Sequence, residues 1–268
     1  MTGPRGMKQA AQAHRLTLLL LLIAGVSQGC GAIAKQRAQA DSYYELAQTY
    51  LGADSYDAAE RAIRRALSLR PREPRYFELL ALTYQVRNRF DLAEDAYRQA
   101  LQQGQPPPSV LVNYSTLLLL RGRPGEALEL AQRALQDPGY GQPAFAHVNL
   151  GLAYSQQGQF AQAVVQFRRA LNYRALPEAH HNLGLAYSRM GRHEAAVQAF
   201  RDAVRLRPTY AAAYAGLGEA LLAAGQADEA RQALERVIAL RPGSPLAVAA
   251  RAQLDRLAPA ASDGEGNP

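Results

Sequence analysis

The chain of 268 residues has no tryptophan, one cysteine, five histidines and, apart from Lys8 and Lys35, no lysine. Each shortage excludes something. A lone thiol rules out an intramolecular disulfide. His14, His147, His180, His181 and His193 fall in no H-E-x-x-H or paired Cys/His spacing, so no metal-ligand motif is present. There is no nucleophile elbow and no glycine loop of the kind that cradles phosphate. The chain therefore reads as non-enzymatic, with no cofactor and no small-molecule substrate. Charge concentrated in one place is also missing, despite a formal +7. Arg5, Lys8 and Arg15 precede the one apolar run; the other 27 basic residues, nearly all arginine, are interspersed with 23 acidic ones. With no dense basic stripe, nucleic acid is not an expected partner. Long hydrophobic runs are limited to "LTLLLLLIAGV", Leu16 to Val26. As a helix it would cover about 16 Å, too little for a hydrocarbon core of roughly 30 Å.

Basic residues before that run and small residues after it read as an export signal over 1–29, initiated at Met1 or Met7. Cys30 stands just beyond the run and follows Gly29. The arrangement resembles a bacterial lipoprotein signal, although Ser27 replaces the usual leucine and Gln28 the usual alanine or serine. The resemblance implies cleavage before Cys30, a diacylglyceryl group on its sulfur and acylation of the new amine. One acyl chain anchors a protein only marginally, whereas two or three hold it on a membrane. Gly31, in place of an aspartate, implies the outer membrane and its periplasmic face. Two other readings stay open: ordinary cleavage after Ala32-Ile33-Ala34, which would leave a soluble periplasmic protein, or an uncleaved anchor.

From Ala40 onward the sequence repeats about every 34 residues, as in "LGLAYSQQGQFAQAVVQFRRAL" (Leu150 to Leu171) and "LGLAYSRMGRHEAAVQAFRDAVRLRP" (Leu183 to Pro208). A small residue recurs on the first half of each unit: Ala47, Ala81, Ser115, Gly151, Gly184 and Gly218. A matching alanine recurs on the second half: Ala59, Ala93, Ala127, Ala163, Ala196 and Ala230. Small residues at these points allow two helices to approach closely. Tyr50, Tyr84, Leu118, Tyr154, Tyr187 and Leu221, with Ile63, Tyr97, Phe167, Phe200 and Leu234, are the expected filling between them. His147 and His180 occupy the fourth position of their repeats, where a large packing residue is expected. The pattern resembles the tetratricopeptide repeat, a helix–turn–helix unit. It implies an all-α, right-handed superhelical solenoid of six repeats, at 40–73, 74–107, 108–141, 144–176, 177–210 and 211–244. "PLAVAARAQLDRL" (Pro245 to Leu257) has helical spacing and should cap the stack, with Arg251, Gln253, Asp255 and Arg256 on its polar outer face. The resulting organisation is a signal at 1–29, a lipidated tether at 30–40, repeats and cap at 41–257, and a Pro/Gly-rich tail at 258–268 expected to be disordered.

In such a solenoid the first helices line a concave surface. The inward positions of repeats two to five include Leu82, Val86, Val112, Leu119, Leu120, Phe145, Val148, Leu152 and Leu185. An apolar strip of that extent suits an amphipathic or extended segment of a partner protein; core residues misassigned by one position would give the same pattern. The sixth position reads Asn113, Asn149 and Asn182 in successive repeats. A carboxamide can pair with peptide backbone in either direction, so the three could form a ladder for extended chain. Plain helix-surface polarity is the other explanation.

The stretch "QDPGYGQPAFAHVNLGL", Gln136 to Leu152, carries two residues beyond the regular period at the junction of repeats three and four. Its spacing of Gln136-Asp137, Tyr140 and Asn149-Leu150-Gly151-Leu152, together with Asn113-Tyr114, resembles the type IV pilus pilotin family. That resemblance implies an outer-membrane lipoprotein which binds secretin subunits and promotes their membrane targeting and assembly, with Cys30 as its anchor. A repeat adaptor docking peptidoglycan enzymes or another envelope complex is the alternative.

Overall fold

Proline starts six of the thirteen helices among the described residues. The structure, a computed structural model, describes residues 31–257, so the export signal, Cys30 and the 258–268 tail lie outside the described residues. Among the described residues there are thirteen helices and no strand. They are α1 (31–52), α2 (Tyr56–Leu69), α3 (Pro74–Val86), α4 (Phe90–Gln102), α5 (Pro108–Leu120), α6 (Pro124–Leu135) and α7 (Pro143–Gln156), followed by α8 (Phe160–Tyr173), α9 (Pro177–Arg189), α10 (His193–Leu206), α11 (Ala211–Ala223), α12 (Ala227–Leu240) and α13 (Pro245–Leu257). A proline at the first helical position loses no hydrogen bond and arrives with φ already near the helical value. That suits α3, α5, α6, α7, α9 and α13, and it fixes where each starts.

The turn between the paired helices recurs too. One residue per repeat takes a left-handed φ: Asp54 and Asn88 in the first two, then Gly122, Gly158, Gly191 and Gly225. The next amide closes the helix end on the carbonyl of the packing residue, as Gln159 N does on Tyr154 O (2.9 Å) and Gln226 N on Leu221 O (2.8 Å). This is a Schellman-type stop, in which glycine, or asparagine with more strain, satisfies carbonyls that the helix leaves unpaired.

The chain divides into two compact units, at Val110/Leu111. In the first unit α2 packs on α3 and α3 on α4. Residues 31–40, expected as a tether, are instead the opening turns of α1. The run "KQRAQA" is rich in good helix formers. Ala40 is fully buried, and Gln36 Nε2 donates to Leu69 O at 2.8 Å. Further along α1, Asp41 accepts a hydrogen bond from Tyr76 Oη (2.6 Å) and pairs with Arg75 of α3.

In the second unit the pairs α7–α8, α9–α10 and α11–α12 pack within repeats, while α6–α7, α8–α9, α10–α11 and α12–α13 join them. Every small residue read as a contact point is buried, and the aromatic and aliphatic filling is buried with it, except that Tyr50 and Tyr154 are only half covered. The reason for glycine is steric. A Cβ on Gly151 would sit 2.5 Å from the Phe167 ring, and one on Gly184 would sit 2.8 Å from Phe200. Gly216, which the repeat pattern did not single out, meets Phe200 equally closely, at 2.5 Å. The cap forms as expected, with Leu246, Leu254 and Leu257 packing around Leu234, Val237 and Ala250. Ser244 Oγ accepts from Ala247 N (3.2 Å) at its start. Arg251, Asp255 and Arg256 are exposed, but Gln253 is half-buried.

Candidate functional site

Side-chain exposure separates the strip residues into three groups. In the second unit Leu120 (64%), Leu185 (42%) and Phe145 (36%) are exposed, on α5, α9 and α7. Val148, Leu152 and Asn182 are half-buried. Leu152 also supports the core cluster around Phe167 and Phe200. In the first unit Val86 is exposed (52%) and Leu82, one turn earlier on α3, is half-buried.

Val112, Leu119 and Asn149 are corrections. Val112 and Leu119 are buried, each only 6% exposed. They lie on a helix whose apolar residues run all round, "PSVLVNYSTLLLL". Such a helix buries more than one face, so repeat position alone could not distinguish floor from core.

Asn149 is buried as well, and its amide is already used. Nδ2 donates toward Val112 O (2.9 Å), Ser115 Oγ (2.6 Å) and Thr116 Oγ1 (2.9 Å), all on α5. Gln156 adds a parallel tie, from Nε2 to Leu119 O at 3.1 Å. Asn149 therefore bolts α7 to α5 instead of presenting a rung to a ligand. Asn113 is half-buried and engaged in an interaction of its own. Asn182 makes no side-chain hydrogen bond among the described residues, so the three asparagines do not form one equivalent ladder.

His147 and His181 behave as packing residues. His147 is buried, with Nδ1 2.9 Å from Gln166 Oε1, and it stacks on Tyr173 at 5.8 Å. His181 lies against Phe200 (5.6 Å) and Tyr210 (5.1 Å). Burial holds His147, His180 and His181 below the ordinary imidazole range, so each favours the neutral form. Among the described residues no three His, Cys, Asp or Glu side chains converge on a metal-binding point.

A second apolar surface escaped the sequence reading. Tyr43, Leu46 and Tyr50 from α1 line an open depression of about 200 Å³ with Ala58, Arg61 and Arg65 from α2. Leu46 is exposed in it. The signal lies in the register of α1, which starts at residue 31, ahead of the first repeat expected at 40–73.

Paired antiparallel helices with small contact residues, recurring turns and a terminal cap define a scaffold for protein contacts. Models of the tetratricopeptide repeat match residues 44–106, 79–141, 151–191 and 188–254. The chain belongs to the tetratricopeptide-repeat proteins. The gap between matches falls at the junction that carries the two extra residues. Among solved structures, the chain is similar to PilW, a widely conserved type IV pilus biogenesis factor. The identity is 26%, the match covers 78% of this chain and 97% of that one, and the TM-score is 0.74. PilF of Pseudomonas aeruginosa is 24% identical over 82% and 99% of the two chains, with a TM-score of 0.72. The Cut9–Hcn1 hetero-tetramer of the APC/C reaches the same TM-score, 0.72, at 18% identity, but with only 43% of that chain covered. The repeat geometry is thus shared well beyond pili, while end-to-end coverage separates PilW and PilF from Cut9. A comparison with curated protein sequences gives no match.

Proposed function

We propose that the chain is a non-catalytic adaptor in type IV pilus biogenesis, anchored at the periplasmic face of the outer membrane through Cys30, which captures secretin subunits during ring assembly. The observation that carries this reading is the match to PilW over 97% of that chain. The export pattern before Cys30 supports it. The contact surface in the second unit is the strip of Leu120, Phe145, Val148, Leu152 and Leu185, without Val112, Leu119 and Asn149. A subunit with strand edges not yet paired aggregates readily. A binding strip tethered to the target membrane shields such a segment and raises its local concentration there. The test is an immunoblot of the pilus secretin, run without full denaturation, in a strain lacking this gene. Monomers that persist while the stable multimer disappears support the proposal, and Cys30→Ser complementation then tests the anchor. A normal multimer ladder refutes it and points to an adaptor for other envelope proteins, such as peptidoglycan enzymes.

A further inference from the structure

In the unit from Leu111 onward the two edges of the helix stack differ in charge. At one edge the second helix of each pair ends and the next pair begins. The last turn, linker and first turn there carry five arginines against two carboxylates, Asp137 and Glu178. At the opposite edge, where the pairs make their internal turns, four arginines stand against four carboxylates.

The surplus has a regular position. Arg174, Arg207 and Arg241 occupy the C-caps of α8, α10 and α12. Arg207 pairs with Glu178. Arg174 lies over the Phe145 ring at 5.7 Å. Arg174 and Arg241 have no carboxylate partner among the described residues. A cation near a helix C-terminus has a local use, since it complements the helix dipole. That use does not account for the neighbours. Each arginine follows an apolar residue: Tyr173, Leu206 and Leu240. Tyr173 (63%) and Val248 (64%), the latter in the first turn of α13, are among the most exposed apolar side chains of the unit. Of the seven large apolar side chains exposed in this unit, four (Phe145, Tyr173, Leu206 and Val248) stand at this edge, and only Leu120 stands at the opposite one.

We propose that this edge rests on a phosphate-bearing bilayer surface. Guanidinium groups pair bidentately with phosphate. Aromatic and aliphatic side chains beside them enter the headgroup boundary, where such residues are enriched in membrane-facing proteins. The features recur at successive helix ends, and the concavity they touch, where Val248 and Gly243 meet Arg251 and Asp255, is shallow and open; that suits a surface better than an inserted peptide. The same C-cap position in the first unit shows the contrast. There Arg70 is tied to Glu73 (2.8 Å) and Asp41 (3.9 Å) and is largely covered.

This surface shares Phe145 with the apolar strip, but its arginines, Tyr173, Leu206 and Val248 lie outside the strip, and it does not depend on a role in pili. The test uses the full chain carrying Cys30→Ser, so that no acyl group contributes. It is mixed with vesicles of phosphatidylcholine alone or with added phosphatidylglycerol, and hydrogen–deuterium exchange locates the contact. Slowed exchange at 173–176, 206–208 and 241–248 with the anionic vesicles only is expected. Arg241→Ala, which breaks no pairing in the fold, should weaken binding about fivefold, the worth of one basic side chain at an anionic surface. Protection confined to residues 1–29, equal protection on both vesicles, or binding unchanged in Arg241→Ala would each overturn the proposal. So would indifference to vesicles with Arg241-dependent binding of polyglutamate, which would reassign the edge to an acidic protein.

Discussion

Replacing Asn149 with alanine distinguishes a structural bolt from a ligand-binding rung. The carboxamide is buried and its nitrogen reaches three acceptors on α5 at 2.6–2.9 Å. It has two hydrogens, so two bonds are made at once, each with a net worth of about 1 kcal/mol. The acceptors are not left bare, because Ser115 Oγ and Thr116 Oγ1 also donate to Val112 O at 2.8 and 3.1 Å. The small cavity left by the side chain adds to the loss, while the better helix propensity of alanine returns about 0.5 kcal/mol. The net cost is roughly 2 kcal/mol, a fall in Tm of about 4–8 °C for a chain of this size. Thermal melts followed by circular dichroism measure it. Asn182→Ala is the internal control: with no hydrogen bond to lose among the described residues, it should leave Tm within about 2 °C. A melting curve for Asn149→Ala that overlays the parent, with partner capture abolished, would refute the bolt and restore the ladder.

Other perturbations test the remaining parts. Gly151→Ala drives a methyl group to within 2.5 Å of the Phe167 ring. Overpacking of about 1–3 kcal/mol should outweigh the helix-propensity gain of about 1 kcal/mol, and adding Phe167→Leu should recover part of the loss in a urea melt. Because burial lowers the proton affinity of His147, His180 and His181, the unfolded chain binds protons more readily than the fold. Stability should therefore hold above the unfolded imidazole value of about 6.5 and fall as pH drops below it; a urea midpoint at pH 5.5 that equals the one at pH 8 would contradict this. Asp41 acts lower on the scale. The Tyr76 hydroxyl, with Arg75, Arg70 and Arg37, depresses its carboxyl, so its contribution persists until the pH falls below about 4, and Asp41→Asn should flatten the acid limb of the curve. Leu120→Asp and Leu185→Asp alter exposed side chains and should change stability by about 0.5 kcal/mol or less while abolishing secretin capture, whereas Val112→Asp should unfold the second unit. Pull-downs run beside melts separate these outcomes.

The repeat period, the small contact residues and the packing ladder were legible in the sequence because each follows from a local requirement repeated six times. A glycine opposite a phenylalanine, a left-handed residue at the turn and a proline at a helix start all recur at fixed offsets, and no distant part of the chain can alter those offsets. The class of protein was legible for the same reason. Which inward residues are free was not. Val112 and Leu120 are both apolar and both lie on α5, yet one is buried and the other exposed; the helix is apolar on every side, so only its neighbours settle the difference. The role of Asn149 was hidden likewise, because its three acceptors lie 33–37 residues earlier in the chain. Gly216 escaped notice because its partner, Phe200, belongs to the preceding repeat. Sequence by itself determined the repeating unit, whose geometry is enforced within about thirty-four residues. The tertiary structure decided exposure, which depends on what the adjacent repeat covers.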